Sequence, residues 1–348
     1  MQQANSKSIK RKGLPTDPIG MEFITNRKII GLVLGSGASR GWAHIGAIEA
    51  LEEENIPIDL IVGCSIGSYV GALYAAGSMK SLKEFVLKMD GRKVFSYFDV
   101  VFPRSGILNG TKKLKELFSM HTDKDRFSDL KLPVMMVATD LETGGKVVLK
   151  SGNLLTALRA TMSIPGIFAP ARVGSRWLVD GGLVDPVPVS VARAQGADII
   201  IAIDLNGRIV SREDLSERLK TRIKDHHGYK NDLIQKLTSY YENAETGFKR
   251  KISELLHRES STPDIMETVT SSITIMQNRI TRINLAVDPP DILIQPRLGG
   301  LKMLEFNNVE NVIREGYLRV KRKIQEIKNL LQPVNQQLKF DDSVDSSG

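Results

Sequence analysis

One serine of the chain has neighbours that are typical of a catalytic nucleophile. Ser65 lies between Gly63 and Gly67 in a GxSxG sequence. The apolar run DLIVG (59–63) before it predicts a strand, and the small-residue run SYVGALYAAG (68–77) after it predicts a helix. A tight turn between a strand and a helix lifts a serine hydroxyl above the sheet, and glycines allow the flanking backbones to approach. The pattern indicates a nucleophile elbow; a structural turn in which the serine caps the helix is the alternative.

A glycine-rich loop, GSGASRG (35–41), follows the first strand-like run of the chain, IIGLVL (29–34). Backbone N–H groups that converge in such a loop bind an anion, either a phosphate or the oxyanion of a tetrahedral intermediate. The candidate residues are Gly35, Gly37, Ala38, Arg40 and Gly41. A dinucleotide-binding loop would occupy the same place, but Arg40 stands where the third glycine of that motif belongs. A strand–helix turn without a ligand also stays open.

A carboxylate follows another strand-like run. Asp180 ends RWLVD (176–180) and precedes Gly181 and Gly182. An acid at the carboxyl end of a strand can be presented to a site at the rim of a sheet. On these residues alone, an ordinary Asp-Gly turn explains the pattern equally well.

Alternating strands and helices must position these three features. The strand-like runs are 29–34, 59–63, 134–140, 146–150, 176–180 and 198–205, and helical patterns cover 43–55 and 68–77. Several strands are almost continuously apolar, as expected when helices cover both faces of a sheet. The pattern predicts an α/β fold with a mostly parallel central sheet.

The order of these features along the chain resembles the patatin-like phospholipases, in particular the bacterial members near neuropathy target esterase. The blocks that carry the resemblance are LVLGSGASRGWAHIGAIEAL (32–51), VGCSIGSYVGALYAAG (62–77), SIPGIFAP (163–170), WLVDGGLVDPVPV (177–189) and GADIIIAIDL (196–205). A further stretch, PPDILIQP (289–296), is similar to a block of some members. The resemblance covers residues 28–205 strongly and implies the patatin-like three-layer α/β/α fold.

The resemblance also implies a serine hydrolase that cleaves lipid or lysophospholipid esters through an acyl-enzyme. Ser65 would be the nucleophile and Asp180 the general base, a dyad without histidine. The N–H groups of Gly37 and Ala38 would form the oxyanion hole. The family commonly has three or four glycines in this loop, whereas Ser36 and Ala38 stand among them here. Both still supply an N–H, and a serine hydroxyl needs a base of this kind to become nucleophilic.

Two other functions are compatible with the same residues. A Ser-His-Asp esterase would need a histidine near Ser65, and His44, in the helix after the glycine-rich loop, is the best placed of the five histidines. A nucleotide- or lipid-binding regulatory protein would use the loop without chemistry at Ser65. We expect neither a cofactor nor a metal, because the chain has no cysteine–histidine spacing typical of zinc and no calcium-loop pattern.

The composition indicates a folded protein. The chain of 348 residues is 41% hydrophobic and 25% charged, with a net charge of +8. Its one cysteine, Cys64, excludes an intramolecular disulfide. We find neither a secretory signal nor an apolar run of membrane-spanning length, and we expect a cytoplasmic protein. Because no nucleic-acid motif accompanies the basic charge, we expect peripheral contact with an anionic membrane, at its inner surface, and no nucleic-acid partner.

The pattern along the chain predicts four segments. These are a flexible basic tail (1–27), a patatin-like catalytic domain (28–206), a mainly helical extension (207–332) and a polar tail (333–348). Charged residues dominate the start of the extension, over 207–260, and helical periodicity returns over 309–331.

Overall fold

The computed structural model describes residues 27–88, 111–207, 265–299, 301, 303 and 308–332. Except for Arg27 and Gly207, the predicted basic tail, the charged stretch 207–260 and the polar tail lie outside the described residues.

One mixed sheet forms the centre of the described structure. Its strands are β1 (Ile30–Leu34), β2 (Leu60–Cys64), β3 (Val134–Asp140), β4 (Lys146–Leu149), β5 (Ala171–Val173), β6 (Arg176–Asp180), β7 (Ile199–Ile203) and β8 (Ile292–Ile294). The strands β3, β2, β1, β7 and β8 lie side by side and run parallel, while β4 and β6 pair antiparallel with β3, and β5 pairs antiparallel with β6. The predicted mostly parallel sheet is confirmed.

Helices cover both faces of this sheet. They are α1 (Ala43–Glu53), α2 (Ile66–Ala75), α3 (Met79–Lys88), α4 (Thr111–Ser119), α5 (Leu154–Thr161), α6 (Val189–Ala194), α7 (Ile265–Val287), α8 (Val309–Lys321) and α9 (Ile324–Leu331). Side chains from α1 to α5, α8 and α9 share one apolar core with one face of the sheet, and α6 packs in a second core on the other face. The strand β1 shows the alternation, because Leu32 and Leu34 enter the first core and Val33 the second. The three-layer α/β/α architecture is confirmed.

The strands β2 and β6 share one edge of β3. The register pairs Val137 of β3 with Cys64 of β2, and the next residue, Ala138, with Asp180 of β6. Both Val137 and Ala138 also pair with β4, which therefore occupies the other edge. Consequently β6 continues where β2 stops, and the last residue of β6 lies beside the turn that follows β2.

Part of the predicted extension belongs to the same sheet and core. The strand β8 pairs with β7 and extends the parallel part of the sheet. The helix α8 crosses α1 so closely that a Cβ on Gly46 would lie 1.9 Å from the carbonyl oxygen of Ile313, and a Cβ on Gly316 would lie 1.9 Å from that of Ala43. The predicted boundary near residue 206 thus separates two stretches of sequence that share one core.

The short strands β5 and β8 were not among the strands predicted from periodicity. Each has only three residues, which is too few for alternation to distinguish a strand from a loop. The helix α7 is the longest described element, and no helix among the described residues is both long and apolar enough to cross a membrane.

The helix crossing leads to a stability prediction. We expect Gly316→Ala to lower the free energy of unfolding by about 1–3 kcal/mol, because the new methyl group would collide with the backbone of α1. Alanine is otherwise the better helix former, so a loss of stability isolates the collision. Urea unfolding of Gly316→Ala beside Arg314→Ala, an exposed position of the same helix, measures the effect. Equal stability of the two variants would contradict the close crossing.

Candidate active site

The turn after β2 holds Ser65 in an unusual backbone conformation. Its φ is 55° and its ψ is −123°, a region that non-glycine residues rarely occupy and that costs about 1–3 kcal/mol. The helix α2 begins at the next residue, Ile66, and the N–H of Ser68 donates to the carbonyl oxygen of Ser65 at 2.9 Å. The hydroxyl thus lies at the positive end of α2, which favours negative charge. This is the geometry of a nucleophile elbow.

The hydroxyl of Ser65 donates a hydrogen bond to Asp180. The distance from Oγ to Oδ2 is 2.6 Å, and the two residues are only 4% and 1% exposed. The other carboxylate oxygen, Oδ1, accepts the N–H of Gly182 at 2.7 Å. The backbone of Asp180 is fixed as well, since its N–H donates to Ser163 and its carbonyl oxygen accepts the hydroxyl of Thr139. The shared edge of β3 therefore brings a fixed carboxylate to the predicted nucleophile.

Thr161, at the end of α5, holds the turn through two hydrogen bonds. Its hydroxyl oxygen accepts the N–H of Ser65 at 3.0 Å, and its hydroxyl donates to the carbonyl oxygen of Val137. One side chain therefore joins the elbow to β3, the strand that positions Asp180. Sequence reasoning did not single out Thr161, because its contact depends on a helix that lies far from Ser65 along the chain.

The carboxyl group of Asp180 lies in a dry environment. Burial raises the pKa of Asp180 to about 6, although the hydrogen bonds from Ser65 and Gly182 favour the charged form. Burial also raises the pKa of the neighbouring Cys64 thiol, and the charge of Asp180 adds to that effect. Asp180 therefore has a raised proton affinity next to a thiol that stays neutral.

The glycine-rich loop lies against the residues that follow Ser65. A Cβ on Gly67 would lie 2.1 Å from the carbonyl oxygen of Leu34, and a Cβ on Gly41 would lie 2.1 Å from Cγ1 of Ile66. These approaches place the loop from Gly35 to Gly41 directly beside the start of α2. The predicted oxyanion loop and the predicted nucleophile are thus neighbours.

Only part of the loop presents unused N–H groups. The N–H of Gly35 donates to Ile203, and that of Arg40 donates to Gly37. By contrast, the N–H groups of Gly37 and Ala38 have no acceptor within the described part of the chain. Ala38 adopts a positive φ of 48°, which shows how tightly the loop turns here. Of the predicted loop residues, Gly37 and Ala38 have the N–H groups that suit an oxyanion.

Arg40 anchors the loop. Its guanidinium is 2% exposed and donates to Asn206 Oδ1 at 3.1 Å and to the carbonyl oxygen of Leu301 at 2.7 Å. The amide of Asn206 in turn donates to the carbonyl oxygen of Ser36. Arg40 therefore ties the loop to the end of β7 and to the extension.

His44 is buried away from the pair. Its Nε2 is 2.8 Å from the carbonyl oxygen of Gly35, which can only accept, so Nε2 carries the proton. Burial lowers the pKa of His44 to about 4, so the ring is neutral near pH 7. The ring supports the glycine-rich loop, and among the described residues the hydroxyl of Ser65 bonds to Asp180 rather than to His44.

The helix α7 covers the site. Gln277 accepts the hydroxyl of Ser36 at 3.2 Å, and its amide lies where a Cβ on Gly182 would be. Ile273 packs with Ile164 and Met303 in a small apolar cluster that also contacts Ala38. A cavity of about 270 Å³ opens elsewhere, between α4, α5 and β5, and neither Ser65 nor Asp180 lines it. Ser65 is thus only 4% exposed beside these contacts of α7 with the loop and the Asp-Gly-Gly turn.

A comparison with family models decides the classification. Residues 32–193, which hold the elbow, the glycine-rich loop and the Asp-Gly-Gly turn, match the patatin-like phospholipases. These residues form a patatin-like phospholipase domain.

Relatives of the patatin-like domain occur in bacteria, fungi and animals. An NTE family protein of Mycobacterium tuberculosis is 38% identical over 178 residues, which are 51% of this chain and 49% of that protein. Patatin-like phospholipase domain-containing protein 6 of Homo sapiens is 35% identical over 196 residues, 51% of this chain and 13% of the human protein. Lysophospholipase NTE1 of Yarrowia lipolytica is 35% identical over 193 residues, 52% and 13% of the two chains. The chain thus spans about half the length of its mycobacterial relative.

Burial of the acid in the patatin-like domain leads to a prediction on stability. The pKa of Asp180, about 6 when folded, lies above the ordinary value of 3.8, so the folded state binds this proton more tightly. Stability from this group is present below about pH 4 and is lost as the pH rises to about 6, by about 3 kcal/mol. We expect Asp180→Asn to unfold at a higher temperature than the wild type at pH 7.5, and at a similar temperature at pH 4.

Thermal unfolding at the two pH values measures this difference. Asp185→Asn is the matched control, because Asp185 is buried nearby but forms an ion pair with Lys146 at 2.8 Å. We expect that variant to be no more stable than the wild type. A destabilised Asp180→Asn at pH 7.5 would show that Asp180 is not held in a dry site.

Proposed function

We propose that the chain is a serine hydrolase that cleaves acyl esters of lipids, with Ser65 as nucleophile and Asp180 as general base. The observation that carries this proposal is the 2.6 Å hydrogen bond from the Ser65 hydroxyl directly to Asp180. A base must be within hydrogen-bond reach of the proton that it removes, and Asp180 meets that condition without an intervening histidine.

The proposed reaction has two steps. Oγ of Ser65 attacks the ester carbonyl carbon while its proton passes to Oδ2 of Asp180. The N–H groups of Gly37 and Ala38 stabilise the resulting oxyanion, and collapse of the intermediate releases the alcohol, which takes the proton from Asp180. In the second step Asp180 removes a proton from water, the hydroxide attacks the acyl-enzyme, and the fatty acid leaves as Ser65 regains its proton.

The environment of Asp180 supports its role as a base. An ordinary aspartate with a pKa of 3.8 is a weak proton acceptor, whereas burial raises the pKa of this group to about 6. A base works best when its pKa lies near the working pH, since it is then deprotonated and still basic. Near pH 7 Asp180 is ionised and accepts the proton more readily than an exposed aspartate would.

The proposed substrates are lipid or lysophospholipid esters. The match to the patatin-like phospholipases and the relative named lysophospholipase support this class. The apolar cluster of Ile164, Ile167, Ile273 and Met303 beside Ala38 supports an apolar acyl chain near the oxyanion loop. Because Ser65 is only 4% exposed and α7 packs against the loop and turn on either side of it, an ester reaches Ser65 only if neighbouring residues move.

The dyad predicts a specific pattern among variants. Ser65→Ala and Asp180→Asn should each lower kcat/KM by about 1,000-fold or more. The first variant removes the nucleophile that gives up the proton, and the second removes the base that accepts it. His44→Gln should stay within about tenfold of the wild type, since glutamine can still donate to Gly35. Hydrolysis of p-nitrophenyl esters of increasing chain length, together with labelling by a fluorophosphonate, measures these effects.

The control variant for this series is Asp185→Asn, which alters a buried carboxylate that bonds to Lys146 rather than to Ser65. It should keep activity within about tenfold. A loss in His44→Gln as large as that in Ser65→Ala would instead establish a Ser-His-Asp esterase. A folded wild type that neither labels nor hydrolyses esters would point to a lipid-binding regulatory protein.

The base also predicts the pH dependence of the reaction. The value of kcat/KM should fall about tenfold per pH unit below pH 6, because protonated Asp180 cannot accept the proton of Ser65. The same inflection should appear in His44→Gln, which separates a carboxylate base from an imidazole. A pH profile that is flat between pH 4.5 and 7 would refute the assignment of Asp180 as base.

A further inference from the structure

The helix α7 exposes apolar side chains on the face that points away from the site. Ile275, Met276, Ile283 and Val287 are 65%, 49%, 53% and 82% exposed. Their spacing places all four on one side of a helix, and the first and last lie about 18 Å apart along its axis. We call Ile275, Met276, Arg279, Arg282, Ile283 and Val287 the outer face of α7. An exposed apolar stripe of this length is unusual for a surface in contact with water alone.

The buried face of the same helix is mainly polar instead, with Ile273 as its buried apolar member. Thr270, Thr274, Gln277 and Thr281 are at most 9% exposed, and Gln277 bonds to Ser36 of the oxyanion loop. Farther along α7, the amide of Asn284 donates to Val184, just beyond the Asp-Gly-Gly turn. The helix is therefore inverted relative to an ordinary surface helix, in which the apolar stripe faces the core. Its polar side packs on the site, and its apolar side is exposed, with no described element packed over it.

The charge of the outer face has one sign. Arg279 and Arg282 are exposed between the apolar side chains, and the sequence from 268 to 287 contains no aspartate or glutamate. Within the described part of the chain, neither arginine forms an ion pair. The outer face therefore combines exposed apolar side chains with two arginines that no acidic group of the described residues pairs with.

We propose that the outer face of α7 is a docking surface for an anionic lipid bilayer. The choice of a lipid partner rests on the proposed function, and the charge complementarity of the two arginines favours an anionic surface. The apolar side chains enter the boundary between headgroups and acyl chains, and Arg279 and Arg282 contact lipid phosphates. Docking places the cover of Ser65 directly against the substrate.

The orientation of α7 links docking to access. The residues that close the site, Gln277 and Ile273, lie on the inner side of the same helical turns that carry Ile275 and Met276 outside. A bilayer that holds the outer face therefore acts on the element that must move before an ester reaches Ser65. The proposed docking surface and the residues that contact the site therefore lie on opposite sides of one helix.

Vesicle binding tests the proposal independently of catalysis. The full chain with Ser65→Ala is mixed with vesicles of phosphatidylcholine containing phosphatidylglycerol, or of phosphatidylcholine alone, so that no lipid is consumed. The double variant Arg279→Gln/Ile283→Ser, in the same background, should lower the partition coefficient on the anionic vesicles at least tenfold. Binding of the Ser65→Ala parent to the anionic vesicles should weaken as salt is added, because exposed charges are screened.

The matched control is Arg314→Gln/Leu318→Ser on α8. This pair also places an exposed arginine four residues before an exposed aliphatic side chain, with Leu318 37% exposed. The partition coefficient of this control on anionic vesicles should stay within twofold of that of the parent protein. No vesicle binding by the parent, or equal losses in the two double variants, would overturn the docking surface. A shift from dimer to monomer in sedimentation with unchanged vesicle binding would instead assign the face to a subunit interface.

Activity separates this proposal from the hydrolase assignment. With Ser65 intact, Arg279→Gln/Ile283→Ser should hydrolyse a short water-soluble ester at the wild-type rate and vesicle lipid at least tenfold more slowly. A wild type without activity on any ester would refute the hydrolase, and the vesicle-binding result would still decide the docking surface. Equal loss on both ester types would show that the outer face acts on the site without a bilayer.

Discussion

The short contact between Ser65 and Asp180 imposes a constraint on the whole fold, because a hydroxyl and a carboxylate from distant parts of the chain must meet away from water. The strand β3 satisfies this constraint. Its edge pairs first with β2 and then with β6, so the turn after β2 and the end of β6 lie side by side. Thr161 then fastens the turn to β3. The position of the pair depends on backbone pairing, which is far stiffer than side-chain packing alone.

Keeping this pair dry has opposing effects on stability and on chemistry. Burial raises the pKa of Asp180 to about 6, which makes it a better base and makes the ionised folded state less stable. The positive φ of Ser65 adds local strain that the surrounding sheet and helices must offset. Functional sites often retain such unfavourable features because the chemistry requires them. The strained turn lies next to the large apolar core that β1, β2, α1 and α2 share.

The extension completes the site rather than decorating it. It contributes β8 to the sheet, α8 to the close crossing with α1, and α7 to contacts with the glycine-rich loop and the Asp-Gly-Gly turn. The carbonyl oxygen of Leu301 accepts from Arg40 and so helps to hold the glycine-rich loop. The family match ends at residue 193, before any of these elements, so the part of the chain that encloses the site is outside the shared domain.

The sequence by itself determined the class of fold, six of the seven described strands between residues 29 and 205, the helices α1 and α2, and the three features that surround the pair. These signals are local, since apolar periodicity, a GxSxG turn and glycines at strand ends each involve residues that are close together in the sequence. The tertiary structure alone decided that β2 and β6 share an edge, that Arg40 anchors the loop, and that the N–H groups of Gly37 and Ala38 find no acceptor among the described residues. It also decided that α7 turns its polar side inward, because only tertiary packing determines which face of a helix is buried. Contacts such as Thr161 to Ser65 join residues far apart in the chain, and no local pattern encodes them.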